Sequence, residues 1–412
     1  MRYPIKQFAV LELTKVDTLA RISLQIWKMS TDLYGFPVTL SELQQAECQQ
    51  CDLISMTQQP VWMEYIEKDR LPTSDSKIKE MIRKGIPPTC RTWVWMQTSG
   101  AERKKAAVAK NYYNVMASAG EKSPYLSDIE EDSKHTFPSH PWIASEDGQA
   151  ALKRVLTAYS IHNDKVGYCR AMNVIVGILL VAMNRNEENS FWLLAAMVED
   201  TLYPGTYSRN LQGCQIEMQA LSELVSQKLP RLHAHLEQTF CDISIIATDW
   251  YLCLFSTSLP SETTSRVWDA LFNEGPKILY RVALALLKLE EETLLKFDNA
   301  GDIVMHMRNF SGSMHNRDKL MNVAFDGIGG LPMATIDKFR EMRAKEFAAG
   351  RSEGGSAAEA ESGIAGLSLN AGGAGEKVKS GFGRFMNGLD KWANKTADSM
   401  AKAAEKVGIK DN

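Results

Sequence analysis

Two short stretches of this 412-residue chain hold the side chains with the most chemical potential. The first is Ile129-Glu130-Glu131-Asp132-Ser133-Lys134-His135-Thr136-Phe137-Pro138, where Asp132 stands three residues before His135. A carboxylate at that spacing can pair with the imidazole and raise its pKa. The second is Val166-Gly167-Tyr168-Cys169-Arg170-Ala171-Met172-Asn173, where Tyr168 and Arg170 flank a cysteine. An imidazole is mostly neutral near pH 7, whereas a guanidinium is always charged and carries donors but no acceptor.

Other chemistries find little support. No G-x-x-x-x-G-K-[ST] occurs, and Gly120-Glu121-Lys122-Ser123 lacks both the Gly-Lys pair and the preceding glycine. Cys48-Gln49-Gln50-Cys51 is a lone C-x-x-C with no second pair to complete a zinc site, so it is read as two incidental thiols. His233-Ala234-His235 sets its two rings apart on a helix, which points to a surface role rather than a metal. Seven cysteines, an odd count, with no signal-peptide pattern at the start fit reduced thiols in the cytosol. The net charge of −3 gives no general pull toward nucleic acid. The longest apolar run, Val174 to Met183, is about half of what a membrane span needs and reads as a buried helix.

The elements around the two stretches are helical. Ser74 is a candidate N-cap for a helix with Ile78, Met81 and Ile82 on one face. Asp147 precedes a helix over Ala150 to His162. Asn173 to Met183, Glu188 to Val198, Asp249 to Phe255 and Tyr280 to Leu289 are apolar enough to be core. Ile216 to Lys228 keeps a 3.6 period, and Pro260-Ser261-Glu262 opens a helix to Phe272. No run alternates like a strand. The fold expected is all-α, with many short to medium helices over residues 77–345. Residues 1–76 read as a partly helical extension, with a turn over Asp32 to Pro37 and polar helix from Leu40 to Cys51. Residues 346–376 are dominated by Gly, Ala, Ser and Glu, a composition that favours a disordered linker. Residues 377–412 read as a basic amphipathic helix: Phe382, Phe385, Met386, Leu389 and Trp392 recur at helical spacing, with Lys391, Lys395, Lys402 and Lys406 between the apolar positions. Such a helix either packs back on the domain or makes peripheral membrane contact through residues 382–407.

Four ordered motifs resemble the TBC domain, the Rab GTPase-activating fold. The first runs from Ile82 through Arg83, Gly85, Pro87-Pro88 and Arg91 to Trp95. Gly85 and the prolines would stop one helix and start the next, and Arg91 and Trp95 share a helix face, a guanidinium over an indole. The two opening stretches are the second and third. The fourth runs from Asp249-Trp250 through Leu259-Pro260 to Val267-Trp268-Asp269 and Gly275.

The resemblance implies a mechanism. Such a domain lends a Rab protein an arginine from an I-x-x-D-x-x-R-T loop and a glutamine from a Y-x-Q loop. The GTP and Mg²⁺ belong to that partner, and the domain has no cofactor of its own. An arginine finger is worth about 10³–10⁵ in rate, or about 4–7 kcal/mol of barrier. In this chain Ile129, Asp132, Thr136 and Tyr168 match. The arginine position holds His135, the glutamine position holds Arg170, and the next glycine is Ala171. Three readings stay open: a Rab-binding effector or trafficking adaptor without catalysis, weak activity with Arg170 reaching the phosphate site, or ordinary activity by another route. The resemblance implies a cytoplasmic protein, peripheral on endomembranes. If Asp132 pairs with His135, hydrolysis should be faster at pH 6 than at pH 8.

Overall fold

The computed structural model describes residues 30–353. It is all-α, as expected, apart from a two-residue antiparallel ladder of β1 (Ser30–Thr31) and β2 (Pro37–Val38). Two residues per strand are too few to leave an alternating signature. The expected turn joins them: the Asp32 carboxylate accepts from the amides of Tyr34 and Phe36 at 3.0 and 2.9 Å.

A Ser41/Gln44 capping box starts α1 (Glu42–Glu67), which runs through Pro60 instead of ending near Cys51. Its Trp62 is fully buried and donates to the Gly85 carbonyl at 3.0 Å. Ser74 caps α2 (Asp75–Lys84), whose face of Ile78, Met81 and Ile82 is buried as the spacing predicts. Gly85, at φ +116°, ends that helix and Pro88 opens α3 (Pro88–Thr98). Then come α4 (Ala101–Ala106), α5 (Tyr112–Ala119), α6 (Leu126–Lys134) and α7 (Glu146–His162). The cap of α7 is Ser145, which accepts from the Gly148 amide, and Asp147 lies inside the first turn. α8 (Met172–Ala182) and α9 (Glu187–Ala196) are buried over most of their length, and α9 passes into a π-turn, Met197–Thr201.

The second half holds α10 (Gln212–Lys228), α11 (Pro230–Gln238), α12 (Ile243–Leu252), α13 (Ser261–Glu274) and α14 (Lys277–Leu289). It closes with α15 (Glu291–Leu294), α16 (Ala300–Gly312), α17 (Arg317–Asn322) and α18 (Met333–Glu353). Every residue of α14 from Ile278 to Leu287 is buried. Arg281 apart, which donates to the Ala324 and Gly329 carbonyls, this stretch is apolar on every side and belongs inside the core.

The first and fourth motifs meet there. Arg91 forms a two-pronged pair with Asp269, at 2.9 and 3.0 Å, and Trp95 Nε1 donates to the same carboxylate at 2.8 Å. What joins Arg91 and Trp95 is therefore a shared acceptor on α13, not the expected stacking of guanidinium on indole. Removing one partner of such a buried pair costs about 3–5 kcal/mol, because the other charge stays buried. Arg83 holds Glu274 at the far end of α13, at 2.7 and 2.8 Å. Trp268 donates to the Leu254 carbonyl at 2.8 Å, and Trp250 stacks on Phe255. Pro87 precedes α3 as its cap.

The chain divides into two compact units after Glu341. α18 continues past residue 346 to Glu353, inside the stretch expected as linker. Alanines and an Arg343–Glu346 pair at 2.7 Å favour helix there. The rest of the expected linker, the basic tail and the apolar spacing from Leu19 to Met29 lie outside the described residues. Among the described residues, no helix is long and apolar enough to cross a membrane. Cys48 is half-buried and Cys51 buried, with burial pushing the Cys51 thiol up to about 11. His235 bonds the Phe297 carbonyl and His233 faces Glu237, so the two rings do go separate ways.

Candidate functional site

The first loop is the C-terminal end of α6 and the turn that follows it. Ile129, with no exposed surface, anchors it. His135 closes the helix as its C-cap, its amide reaching back to the Asp132 carbonyl at 3.2 Å. That carbonyl also accepts from Thr136 Oγ1 at 2.8 Å and Asn173 Nδ2 at 3.4 Å. Side chains thus satisfy what the helix end leaves open. Phe137 then turns the chain with φ +46°, an uncommon conformation for a bulky residue.

The second loop links α7 to α8. Asn163 folds it: its carbonyl accepts from the Gly167 amide at 2.7 Å and its side-chain oxygen from the Val166 amide at 3.2 Å. Asn163 Nδ2 donates to Glu199 Oε1 on the π-turn at 2.9 Å. Lys104 and His162 also hold Glu199, at 2.8 and 3.3 Å. Burial would raise the Glu199 pKa, but the hydrogen bonds from His162, Lys104 and Asn163 outweigh it and bring the carboxyl down to about 2. Gly167, at φ +66°, lies so close to Tyr125 that a Cβ would sit 2.4 Å from the ring. Ala171 is left-handed at φ +100° where the resembled pattern has glycine. For a residue with a Cβ that costs about 1–2 kcal/mol.

The two loops meet at Asp132, which is 7% exposed. Tyr168 Oη donates to its Oδ2 at 2.7 Å, and Arg170 Nε pairs with its Oδ1 at 2.9 Å. Burial, then the Asp132 charge, pushes the Tyr168 phenol far above its ordinary value. Burial also raises the Cys169 thiol to about 12. The pairing of Asp132 with His135 does not form. The Asp132 carboxylate points inward to the second loop, while His135, with 61% of its side chain exposed, sits 3.3 Å from Glu131 Oε1. Four residues of spacing bring the imidazole over Glu131, on the outer face of the helix.

Asp132, Tyr168 and Arg170 are brought into one cluster, whereas the His135 side chain lies outside it on Glu131. Arg83, Gly85, Pro87, Arg91, Trp95, Trp250, Trp268 and Asp269 are elsewhere, in the core that carries the loops. The sequence reading missed Asn163, Asn173 and Glu199 as supports. Asn173 and Asn163 sit at loop ends, where a short amide can bond nearby backbone. Glu199 leaves no local trace because its partners come from α4 and α7.

The model of the Rab-GTPase-TBC domain family matches residues 88–295. The human growth hormone-regulated TBC protein 1 is 37% identical over 306 residues, covering 72% of this chain and 90% of that protein. Mouse TBC1 domain family member 2A is 35% identical over 272 residues, 65% of this chain but 29% of that longer protein. Among solved structures, the Chlamydomonas flagellar RabGAP TBC domain is 60% identical with a TM-score of 0.68, covering 73% of this chain and all of that one. The Ypt/Rab-GAP domain of Gyp1p, at 18% identity and a TM-score of 0.55 over 69% of this chain and 98% of that one, shares the fold.

Proposed function

The chain belongs to the Rab-GTPase-TBC domain family, and from that premise we propose that it is a Rab-binding regulator whose own catalytic contribution is weak or absent. The family is one of Rab GTPase activators, so Rab-type GTPases are the partners it implies. The observation that carries the finer reading is the pair Arg170–Asp132 at 2.9 Å. At the position where the family pattern has a glutamine to place water, this chain has a guanidinium held by a carboxylate. A guanidinium has no acceptor with which to orient water. At the arginine position stands an exposed imidazole on Glu131, shorter than a guanidinium and unable to form its two-pronged fork. Asp132 and Tyr168 then hold the second loop rather than take part in hydrolysis. GTP and Mg²⁺ come with the partner.

A second reading rests on exposure. Arg170 is 28% exposed, and a guanidinium at the mouth of the site could exchange Asp132 for a phosphate. Single-turnover GTP hydrolysis over a panel of Rab proteins separates the two. No acceleration together with GTP-dependent binding supports the regulator reading. Acceleration lost in Arg170→Ala supports the exchanged guanidinium. The double variant His135→Arg, Arg170→Gln is expected to gain activity, up to about 10³-fold. A GTP-loaded Rab panel with no binding partner would end both readings. The basic segment 382–407, outside the described residues, is proposed as a peripheral membrane contact.

A further inference from the structure

Residues 32–36 lie far ahead of residue 88, where the family match begins, yet they reach the first loop. We infer that the Asp32–Phe36 turn is a positioning element of the 129–138 loop, acting through Phe36 on Phe137 and through Tyr34 on His140. The inference rests on the reading of that loop as the part presented to a GTPase.

The turn is held on the domain by groups unrelated to the loop. The Asp32 carboxylate accepts from Ser261 Oγ at the start of α13, and the Leu33 amide donates to Glu262 Oε1 at 3.1 Å. Tyr34 Oη accepts from Arg91 Nη1 at 2.7 Å, which ties the phenol to the buried Arg91–Asp269 pair. The turn is therefore fixed to the core.

From that base it makes two contacts, one just beyond the loop at His140 and one within it at Phe137. His140 Nε2 donates to the Tyr34 carbonyl at 2.8 Å, while its Nδ1 accepts from the amides of Trp142 and Ile143 at 3.2 and 3.1 Å. The ring thus shapes the turn that follows Phe137. Gly35, at φ +91°, passes so near that a Cβ would lie 3.1 Å from His140 Nε2. Phe36 meets the Phe137 ring edge-on, with centroids 5.0 Å apart, and the His140 ring at 4.6 Å.

Phe137 is the part under most constraint. Its backbone is left-handed, and its ring lies against Gly177 of α8, where a Cβ would be 3.0 Å from it. The ring is clasped between Phe36 on one side and α8 on the other. Thr136, one residue earlier, bonds the Asp132 carbonyl and Asn173. Without Phe36 one wall of the clasp is gone, and the exit of the loop has an open side. Phe36 and Tyr34 touch none of Asp132, Tyr168, Arg170 and His135 in any bond described above, so they act by placement alone.

The test uses the full chain. In Phe36→Ala, amide hydrogen exchange over residues 133–140 should speed up about ten-fold, the scale of one lost aromatic contact. Exchange in α12 should not change, and Phe36→Tyr, which keeps the ring, should restore the wild-type rate. Phe36→Leu is the milder variant if the alanine fails to fold, with an increase of about three-fold. In the His135→Arg, Arg170→Gln background, Phe36→Ala should lower the maximal single-turnover rate with the half-saturating Rab concentration unchanged. Exchange at 133–140 equal to wild type in the alanine and leucine variants overturns the inference. So does faster exchange with an unaltered maximal rate in an active double variant. If no GTP-loaded Rab binds, the proposed function has failed, and the exchange data alone decide the coupling.

Discussion

Asp132 shows how a residue's role is set by the direction its side chain takes. Sequence spacing alone offers it His135, three positions on. The fold gives it Tyr168 and Arg170 instead, because Asp132 faces inward from α6 and the second loop is packed beneath. That the two loops belong together was legible in the order of the motifs along the chain; the pairing of Asp132 was not, since it depends on contacts across 36 and 38 positions of sequence. Glu199 went unread for the same reason. Its depressed pKa carries a stability consequence. The carboxylate is lower in the folded chain, at about 2, than the ordinary 4.5, so its contribution is present above about 4.5 and is lost as pH falls toward 2. Glu199→Gln should cost about 2 kcal/mol at pH 6. The gap between its denaturation midpoint and that of the wild type should narrow steadily at pH 4 and pH 3. A gap independent of pH would remove the ionised carboxylate from the explanation.

At the scale of elements, most helices follow from the apolar period, and the glycine and proline punctuation between α2 and α3 marks their junction. Ends were read less well. Pro60 suggests a break in α1, but Ser41 and Gln44 start the helix and buried Trp62 holds it beyond the proline. The ladder of β1 and β2 was too short to see. The junction of the loops is a packing fact of the same sort. Tyr125, just before α6, lies on Gly167 in the second loop, while Asp132 near the other end of α6 bonds that loop again. α6 is thus gripped at both ends. Gly167→Ala has to displace the Tyr125 ring and keep an alanine at φ +66°, which should cost about 1–3 kcal/mol. It should also open the loop around half-buried Cys169. Alkylation of Cys169, followed by mass spectrometry, should be faster than in wild type by more than the change in global stability accounts for.

Among the described residues, long-range ties converge on a few side chains. Asp269 gathers Arg91 and Trp95, and Glu217 on α10 gathers Arg340 from α18 at 2.5 Å and Tyr280 from α14. The basic segment 377–412 was read from composition and charge alone. Deletion of residues 376–412 should abolish co-sedimentation with anionic vesicles and leave Rab binding unchanged. Equal sedimentation of both forms would remove the membrane reading and favour a tail that packs on protein.

Trp62 and Arg340 have a bearing on how relatives are compared. The family model matches residues 88–295, but Trp62 fills the core from before that window and Arg340 from beyond it. Two chains could agree at every position of that window and still differ in melting point, because some of the braces that hold it are written outside the window. Divergence measured inside the window therefore says little about how firmly each chain keeps its shape.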